Sequence, residues 1–286
     1  PVWLGMNMDA DDLVRADEVD VEQIEVLRGP QGSLQGRNAS GGAINVRTLR
    51  PSGQFGARAS VTYERFDEVD VKAALEAPIV ADLIAAKLSG FYKHGGGYMS
   101  NATTGEDLGG VDRWGARLGL VLNASAEFNA YLTADYVRDT SPQTALRGMN
   151  HAGPRGAREP EPVACRLYGQ CSFADKYESE QDYIAHNSST IGGFALNAEW
   201  NTGPITLTSV TGYRLVDEVV RADVDTTRFP IFHALLRGTK VNAFSQELRA
   251  ASNGTGPFEY VAGAYYIRSH YDLDARNRLG GAIFGL

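Results

Sequence analysis

The chain has 286 residues, a net charge of −8 and a sequence pI near 5.2. This charge argues against a nucleic-acid partner, which would need a basic face. No run approaches the 18 consecutive apolar residues of a transmembrane helix. A mean hydropathy of −0.26 fits a soluble protein and also a membrane β-barrel, in which alternate residues face a polar lumen.

The first informative segment is the glycine-rich run at residues 22–47. A strand with alternating apolar residues is predicted to end at Arg28, and Gly29-Pro30 then sets a turn. A second strand is predicted directly after Gly42. Glycine-rich turns also bind phosphate, but no Gly-x-Gly-x-x-Gly or Gly-Lys-Ser/Thr occurs here, and the segment after Gly42 is strand-like rather than helical.

This run closely resembles the end of the plug domain of TonB-dependent outer-membrane receptors, the gated barrels that import siderophores, cobalamin and other scarce nutrients. The resemblance implies that residues 1–50 are the C-terminal part of a plug and that residues 51–286 begin a β-barrel. The chain departs from the family pattern at Gln35, where a tyrosine is common. The positions that match the plug motif are Glu25, Leu27, Arg28, Gly29, Pro30, Gly32, Gly36, Arg37, Asn38, Gly41, Gly42 and Asn45.

Downstream of the plug run, apolar and polar residues alternate with a period of two. This period predicts β-strands that each have one apolar and one polar face. The eighth strand is less regular because Gln246 interrupts its apolar side. The nine predicted strands lie at residues 57–64, 69–76, 84–88, 114–122, 128–136, 194–200, 205–207, 243–251 and 258–266.

The predicted connections have two lengths. Short turns are predicted at residues 78–82, 123–127, 201–204 and 253–257, and long connections at residues 95–110, 141–187 and 217–240. A soluble sandwich also has alternating strands. However, short turns on one rim, long loops on the other and aromatic residues near strand ends are typical of a membrane barrel. We therefore predict an all-β fold, a transmembrane antiparallel up-and-down β-barrel preceded by the end of an α+β plug domain.

Nine strands cannot close an antiparallel barrel, because the first and last strands would meet in parallel. Unpaired strand edges are not tolerated in hydrocarbon. We therefore expect the chain to be an internal piece of a larger receptor, with about nine barrel strands. The segments at residues 104–109, 207–214 and 244–249 resemble the same family, with lower specificity than the plug run.

Neither a catalytic site nor a metal or cofactor site is predicted. The histidines are scattered without a metal-binding spacing. Cys165 and Cys171, separated by five residues in the longest loop, are expected to form a disulfide if the loop lies in an oxidising compartment. A metal site at the two cysteines would need two further ligands from elsewhere. The five histidines are His94, His151, His186, His233 and His270.

The resemblance implies a function in the outer membrane of a Gram-negative bacterium. It implies active uptake of a scarce nutrient, most commonly an iron–siderophore, with the TonB complex, the lipid bilayer and the small ligand as partners. The TonB box is expected outside the chain. The resemblance implies that arginines of the plug form ion pairs with glutamates of the barrel, so Arg28 and Glu247 are a candidate ion pair. Alternatively, both are ordinary lumen charges in contact with water. The alternatives are a passive porin or surface-binding barrel without energy coupling, and a soluble β-rich lectin or hydrolase.

Overall fold

The computed structural model describes most of the barrel strands and part of the plug segment. Two stretches inside strands, residues 233–237 and 277–279, and residues 43–45 are described by backbone only. Among the described residues, no helix is long and apolar enough to cross a membrane. The structure describes residues 21–30, 41–142, 146, 168–169, 177–182, 187–223, 225–254 and 258–279.

The described residues form three β-sheets. A two-stranded antiparallel sheet contains β1 (Val21–Arg28) and β2 (Gly42–Thr48). A small sheet contains β6 (Met99–Asn101), β7 (Asp107–Leu108) and β10 (Glu178–Ser179). The large sheet contains β3 (Gly56–Glu64), β4 (Glu68–Val80), β5 (Ile84–Gly95), β8 (Val111–Asn123), β9 (Phe128–Asp139), β11 (Ser188–Asn201), β12 (Ile205–Val220), β13 (Phe232–Ser252) and β14 (Val261–Leu279).

The large sheet is an antiparallel meander of nine strands. Its spatial order, β14-β13-β12-β11-β9-β8-β5-β4-β3, follows the chain once the small strands within loops are set aside. All nine predicted barrel strands are therefore confirmed. The α+β plug is represented among the described residues only by the β1–β2 hairpin.

The predicted connection at residues 217–240 is wrong. β12 continues to Val220 and β13 already begins at Phe232, so only residues 221–231 connect them. Asp217 and Lys240, the ends of that predicted connection, are cross-strand partners joined by a 3.2 Å ion pair. A charged pair stabilises a strand ladder as readily as apolar residues do when the ladder stands in water.

Other boundaries also differ from the prediction. β4 continues through Pro78 to Val80 with an irregularity in its pairing, so the first short turn is residues 81–83. The ninth barrel strand begins at Val261 rather than at residue 258 and extends to Leu279. The long connections contain the small strands β6, β7 and β10, and the connection at residues 65–67 is short although it lies at the long-loop end.

The two faces of the large sheet are inverted relative to a water-soluble protein. On one face, leucines stand exposed, with Leu88 at 54% and Leu196 at 37%. On the other face, Lys87 and Ser89 are only 5% and 3% exposed. The segment that leads into β3 runs along this polar face, where the guanidinium of Arg50 lies 4.7 Å from the ring centre of Tyr131.

Aromatic residues mark one edge of the apolar face. Neighbouring rings lie close together, at 5.4 Å for Trp114–Tyr136, 5.9 Å for Phe194–Tyr213 and 6.4 Å for Phe244–Tyr266. Along the pairing registers from Trp114 on β8 to Tyr266 on β14, the positions of the rings shift toward the short turns. This displacement is expected when strands tilt relative to the axis of a barrel.

Gln246 lies on the apolar face, as the sequence indicates. Its side-chain oxygen accepts a hydrogen bond from Thr211 Oγ1 at 2.7 Å, and its amide nitrogen donates to Ser209 Oγ at 3.0 Å. The three polar side chains thus satisfy one another within an apolar surface, which lowers the cost of placing an amide there.

Candidate functional site

The polar face of the large sheet carries a charged row that crosses four strands. Arg117, Asp135, Gly193 and Arg214 are successive register partners on β8, β9, β11 and β12. Arg214 Nη1 lies 2.7 Å from Asp135 Oδ1 and 2.5 Å from Asp135 Oδ2. Both side chains are more than four-fifths buried, so this ion pair is shielded from water. The row thus holds two arginines and one aspartate, with Arg117 as the register partner of Asp135.

Gly193 makes the long reach of Arg214 possible. Arg214 and Asp135 lie on strands that are separated by β11, and Gly193 occupies the register position between them. A Cβ atom at Gly193 would lie 3.0 Å from Arg214 Cδ and would overlap the carbonyl oxygen of Tyr213. The absent side chain is therefore the space through which the arginine passes.

An apolar band lies beside the charged row, one step nearer the long loops. Phe91, Val137, Ile191 and Val241 share this band and are between 1% and 8% exposed. Gly115 lies between the side chains of Phe91 and Val137. A small pocket at this place is lined by Ser89, Phe91, Gly115, Ala116, Arg117, Asp135 and Val137. The polar face thus presents charge and apolar surface side by side.

A second polar cluster lies at the long-loop end, around Asp223. This carboxylate is fully buried, and it accepts hydrogen bonds from the backbone N–H of Thr226 (3.1 Å) and of Asp182 (3.2 Å). The pKa of Asp223 is raised to about 7, mainly by burial, and the charges of Asp225 and Asp182 contribute to this rise while the hydrogen bond from Thr226 opposes it.

Comparisons with known proteins give a consistent result. No protein-family model matches the chain. Pesticin receptors of Yersinia enterocolitica and Yersinia pestis are 36% identical over 93 residues, which is 32% of this chain and 14% of those receptors. The chain thus spans less than a sixth of the length of the curated relatives through its matched segment.

Solved structures match almost the whole sheet. The ferric yersiniabactin uptake receptor FyuA from Yersinia pestis has a TM-score of 0.68 at 21% identity, over 91% of this chain and 38% of that one. The ferripyoverdine receptor of Pseudomonas aeruginosa has a TM-score of 0.64 at 14% identity, over 95% and 36%. The E. coli import receptor Fiu, in its open form, has a TM-score of 0.65 at 16% identity, over 87% and 39%.

The chain has the fold of the TonB-dependent outer-membrane receptors. The resemblance noted in the sequence is therefore confirmed at the level of the fold. The matched proteins are receptors of the outer membrane of Gram-negative bacteria, and the nine-stranded sheet is the part of this fold that crosses that membrane. The polar face of the sheet lines the lumen, and the apolar face with its aromatic edge is turned outward.

The predicted plug positions fall partly within the described residues. Glu25 pairs with Asn45, and Arg28 pairs with Gly42, in the β1–β2 hairpin of this receptor fold. Gly29 and Gly42 have φ angles of 88° and 145°, a backbone conformation that favours glycine. Leu27, Pro30 and Gly41 also belong to the hairpin or its turn. Gly32, Gly36, Arg37 and Asn38, as well as Cys165 and Cys171, lie outside the described residues.

The predicted ion pair between Arg28 and Glu247 stays a prediction. Glu247 lies on the lumen face, where its Oε1 is 3.8 Å from Arg249 Nη1. Among the described residues no group of three metal-ligating side chains occurs. His94 lies 3.7 Å from Asp112 and His270 lies 3.1 Å from Asp272, each in an exposed pair.

The sequence did not single out the residues that form the two polar clusters. Asp135 and Arg214 are 79 positions apart, and Asp182 and Asp223 are 41 positions apart. The sequence places Asp135 and Arg214 on or near predicted strands, but whether two such residues pair depends on strand register. In β11, the pair Gly192-Gly193 in an otherwise regular strand was the one available signal, since glycine in a strand often marks a close approach.

Proposed function

We propose that this chain is part of a TonB-dependent transporter that imports an iron–siderophore across the outer membrane. The observation that carries the proposal is the structural match of 91% of the chain to a ferric yersiniabactin uptake receptor. The curated relatives are pesticin receptors, so their name also describes them as receptors. Siderophore class and TonB coupling belong to the proposal, because the chain spans only part of each matched protein.

The surfaces of the chain suit this function. A charged lumen wall with the shielded Arg214–Asp135 ion pair provides polar contacts for a plug that must be held and released. We propose that residues 1–50 are the end of that plug and that residues 51–286 are the first part of the barrel. In support, the β1–β2 hairpin forms a sheet of its own, and the large sheet begins at Gly56. The plug motif residues, with Arg28 facing Glu247, would then contribute to the plug–barrel contact.

The matched proteins are receptors rather than enzymes, and we propose that this chain has no catalytic role. Its binding chemistry would come from surface loops and from the plug, as in a transporter that recognises its ligand before energy is applied. The alternative is a passive porin, which would share the barrel but not the dependence on TonB.

The test is uptake of radioactive iron from a panel of ferric siderophores by cells that express the complete receptor. The proposal expects uptake of at least one siderophore, and it expects loss of this uptake when TonB is deleted or the proton gradient is dissipated. A matched strain that expresses a general porin controls for passive entry. Siderophore uptake that persists without TonB would contradict energy coupling and favour the passive porin.

A further inference from the structure

Three segments at the long-loop end are joined through one buried polar network, here called the loop clamp. It contains residues 99–103, residues 177–182 and a third segment made of residues 221–223 and 225–232. Between the first two segments, Asn101 Nδ2 donates to the carbonyl oxygen of Gln181 at 2.9 Å, and Ala102 N donates to the carbonyl oxygen of Ser179 at 2.8 Å. The three segments come from three successive long connections, so the network fixes the loops relative to one another.

Asp223 is the centre of the loop clamp. Its carboxylate accepts from the backbone of Asp182, and its carbonyl oxygen accepts from Gln181 Nε2 at 3.4 Å. Asp182 N also donates to the carbonyl oxygen of Thr227 at 3.1 Å. Gln181 is 1% exposed and Asp223 is 0% exposed, so water does not solvate these groups. The contact between the second and third segments therefore includes a buried carboxyl group, which accepts from Asp182 N.

The charged groups around Asp223 are mainly acidic. Asp182 and Asp225 both raise its pKa, Asp182 by its charge and by a side-chain hydrogen bond. Asp225 is held nearby, because its oxygens accept from Thr227 N at 3.0 Å and from Phe232 N at 2.6 Å. Arg228, a basic residue of the same segment, pairs with Glu180. A third negative charge placed among Asp182 and Asp225 would be both desolvated and repelled.

We propose that the loop clamp is closed by a proton held at Asp223 and is released when that proton leaves. The protonated carboxyl can donate to Asp182 while it still accepts the two backbone N–H groups. The ionised form loses this donor and adds repulsion across the contact between residues 177–182 and the third segment. The clamp would thus tie the outer loops together in acidic surroundings and loosen them near neutral pH, independently of which ligand the receptor binds.

The direction of the pH effect follows from the pKa of Asp223. In the open clamp the carboxyl returns to its ordinary value near 3.8, and in the closed clamp its pKa is about 7. Closure therefore takes up a proton between these two values. Stability of the closed clamp is fully present below the lower value, declines as pH rises through the window and levels off above pH 7. Within the window the opening equilibrium should increase by at most about tenfold per pH unit.

The experiment is hydrogen–deuterium exchange of the complete receptor in detergent, measured at a series of pH values from 5 to 8. Exchange rates are corrected for the intrinsic pH dependence of amide exchange, with peptides from β9 and β11 as internal references. The amides of Asp182 and Thr226 report directly on the carboxylate that they contact. We expect their corrected protection to fall as pH rises toward 7 and the references to stay constant.

Three variants separate the proton from other effects. Asp223→Asn imitates the protonated carboxyl and should keep the amides protected at every pH. Asp182→Asn removes one of the neighbouring charges and should move the transition to lower pH. Asp107→Asn, at an exposed position in β7, should leave the transition unchanged.

The proposal is overturned if the wild-type receptor shows no corrected pH dependence, or if Asp223→Asn keeps the wild-type transition. If Asp223→Asn does not fold, Asp182→Asn decides, because an unchanged midpoint would contradict the assigned repulsion. None of these readouts depends on siderophore or TonB, so failure of the clamp is distinguishable from failure of the proposed transport function.

Discussion

On the outward face of the large sheet, Leu88 and Leu196 stand exposed, whereas on the lumen face Lys87 and Ile191 are almost fully buried. The outward face meets lipid, so it needs apolar side chains but no close fit to a partner. The lumen face holds paired charges and tightly packed residues, so each position depends on its neighbours. On the outward face the residue type is therefore constrained only to be apolar, whereas on the lumen face each side chain must also fit its neighbours.

The largest expected effect is a charge on the outward face. Leu132 lies midway between the aromatic residues Phe128 and Tyr136 on β9, and its register partners are Leu120 and Leu196. We expect Leu132→Arg to destabilise the complete barrel by about 2–4 kcal/mol, because the charge would enter the middle of the bilayer. Reversible unfolding into lipid vesicles measures this cost.

Thr133→Arg is the matched control on the lumen face of the same strand. It adds the same side chain where polar groups are present, and it should cost far less than Leu132→Arg. Equal costs, or the reverse order, would show that the assignment of the two faces is wrong.

A smaller effect is expected when the shielded ion pair on the lumen face is broken. Arg214→Met should destabilise the barrel by about 1.5–3 kcal/mol, the range for a lost hydrogen bond to a charged group. Arg249→Met is the control, since Arg249 is about half exposed and lies 3.8 Å from Glu247. An exposed pair of this kind contributes less than about 1 kcal/mol. Equal losses for both variants in the same unfolding experiment would mean that burial does not strengthen the Arg214–Asp135 pair.

The sharpest geometric test compares two adjacent glycines. Gly193→Ala would place a methyl group against Arg214 and the Tyr213 carbonyl, and overpacking of this kind typically costs about 1–3 kcal/mol. Gly192→Ala, on the outward face, would meet its nearest atoms at 3.2 Å and 3.4 Å. We expect the Gly193 variant to lose more stability than the Gly192 variant in equilibrium unfolding. Similar losses for both variants would indicate a general effect of alanine in β11 rather than a blocked path for the arginine.

Much of the sheet was predictable because its faces differ in composition. The alternation around Leu118, Leu132 and Leu196 repeats with the period of a strand, and this pattern is local. Strand length was less predictable, as Asp217 and Lys240 illustrate. They are polar on a stretch that extends beyond the apolar band, so hydropathy no longer separated strand from loop there.

The charged row of the lumen face and the loop clamp could not be predicted, because their members are far apart in sequence. Asp135 reaches Arg214 only because both strands pair with β11 in one register, with Gly193 between them. Asp223 is buried only in the folded chain, where the backbone N–H of Asp182 donates to its carboxylate. In the sequence it is one acidic residue among 35 Asp and Glu residues.

By itself the sequence determined the strands, their apolar and polar sides and the resemblance to a plug followed by a barrel. These features were accessible because hydrophobic periodicity and glycine-rich turns are properties of neighbouring residues. Only the tertiary structure decided which charges pair across the lumen wall and which carboxyl is buried among the loops. Pairing depends on strand register, and the pKa of a carboxyl depends on the water and charges around it. Both are set by residues that meet only in the folded chain.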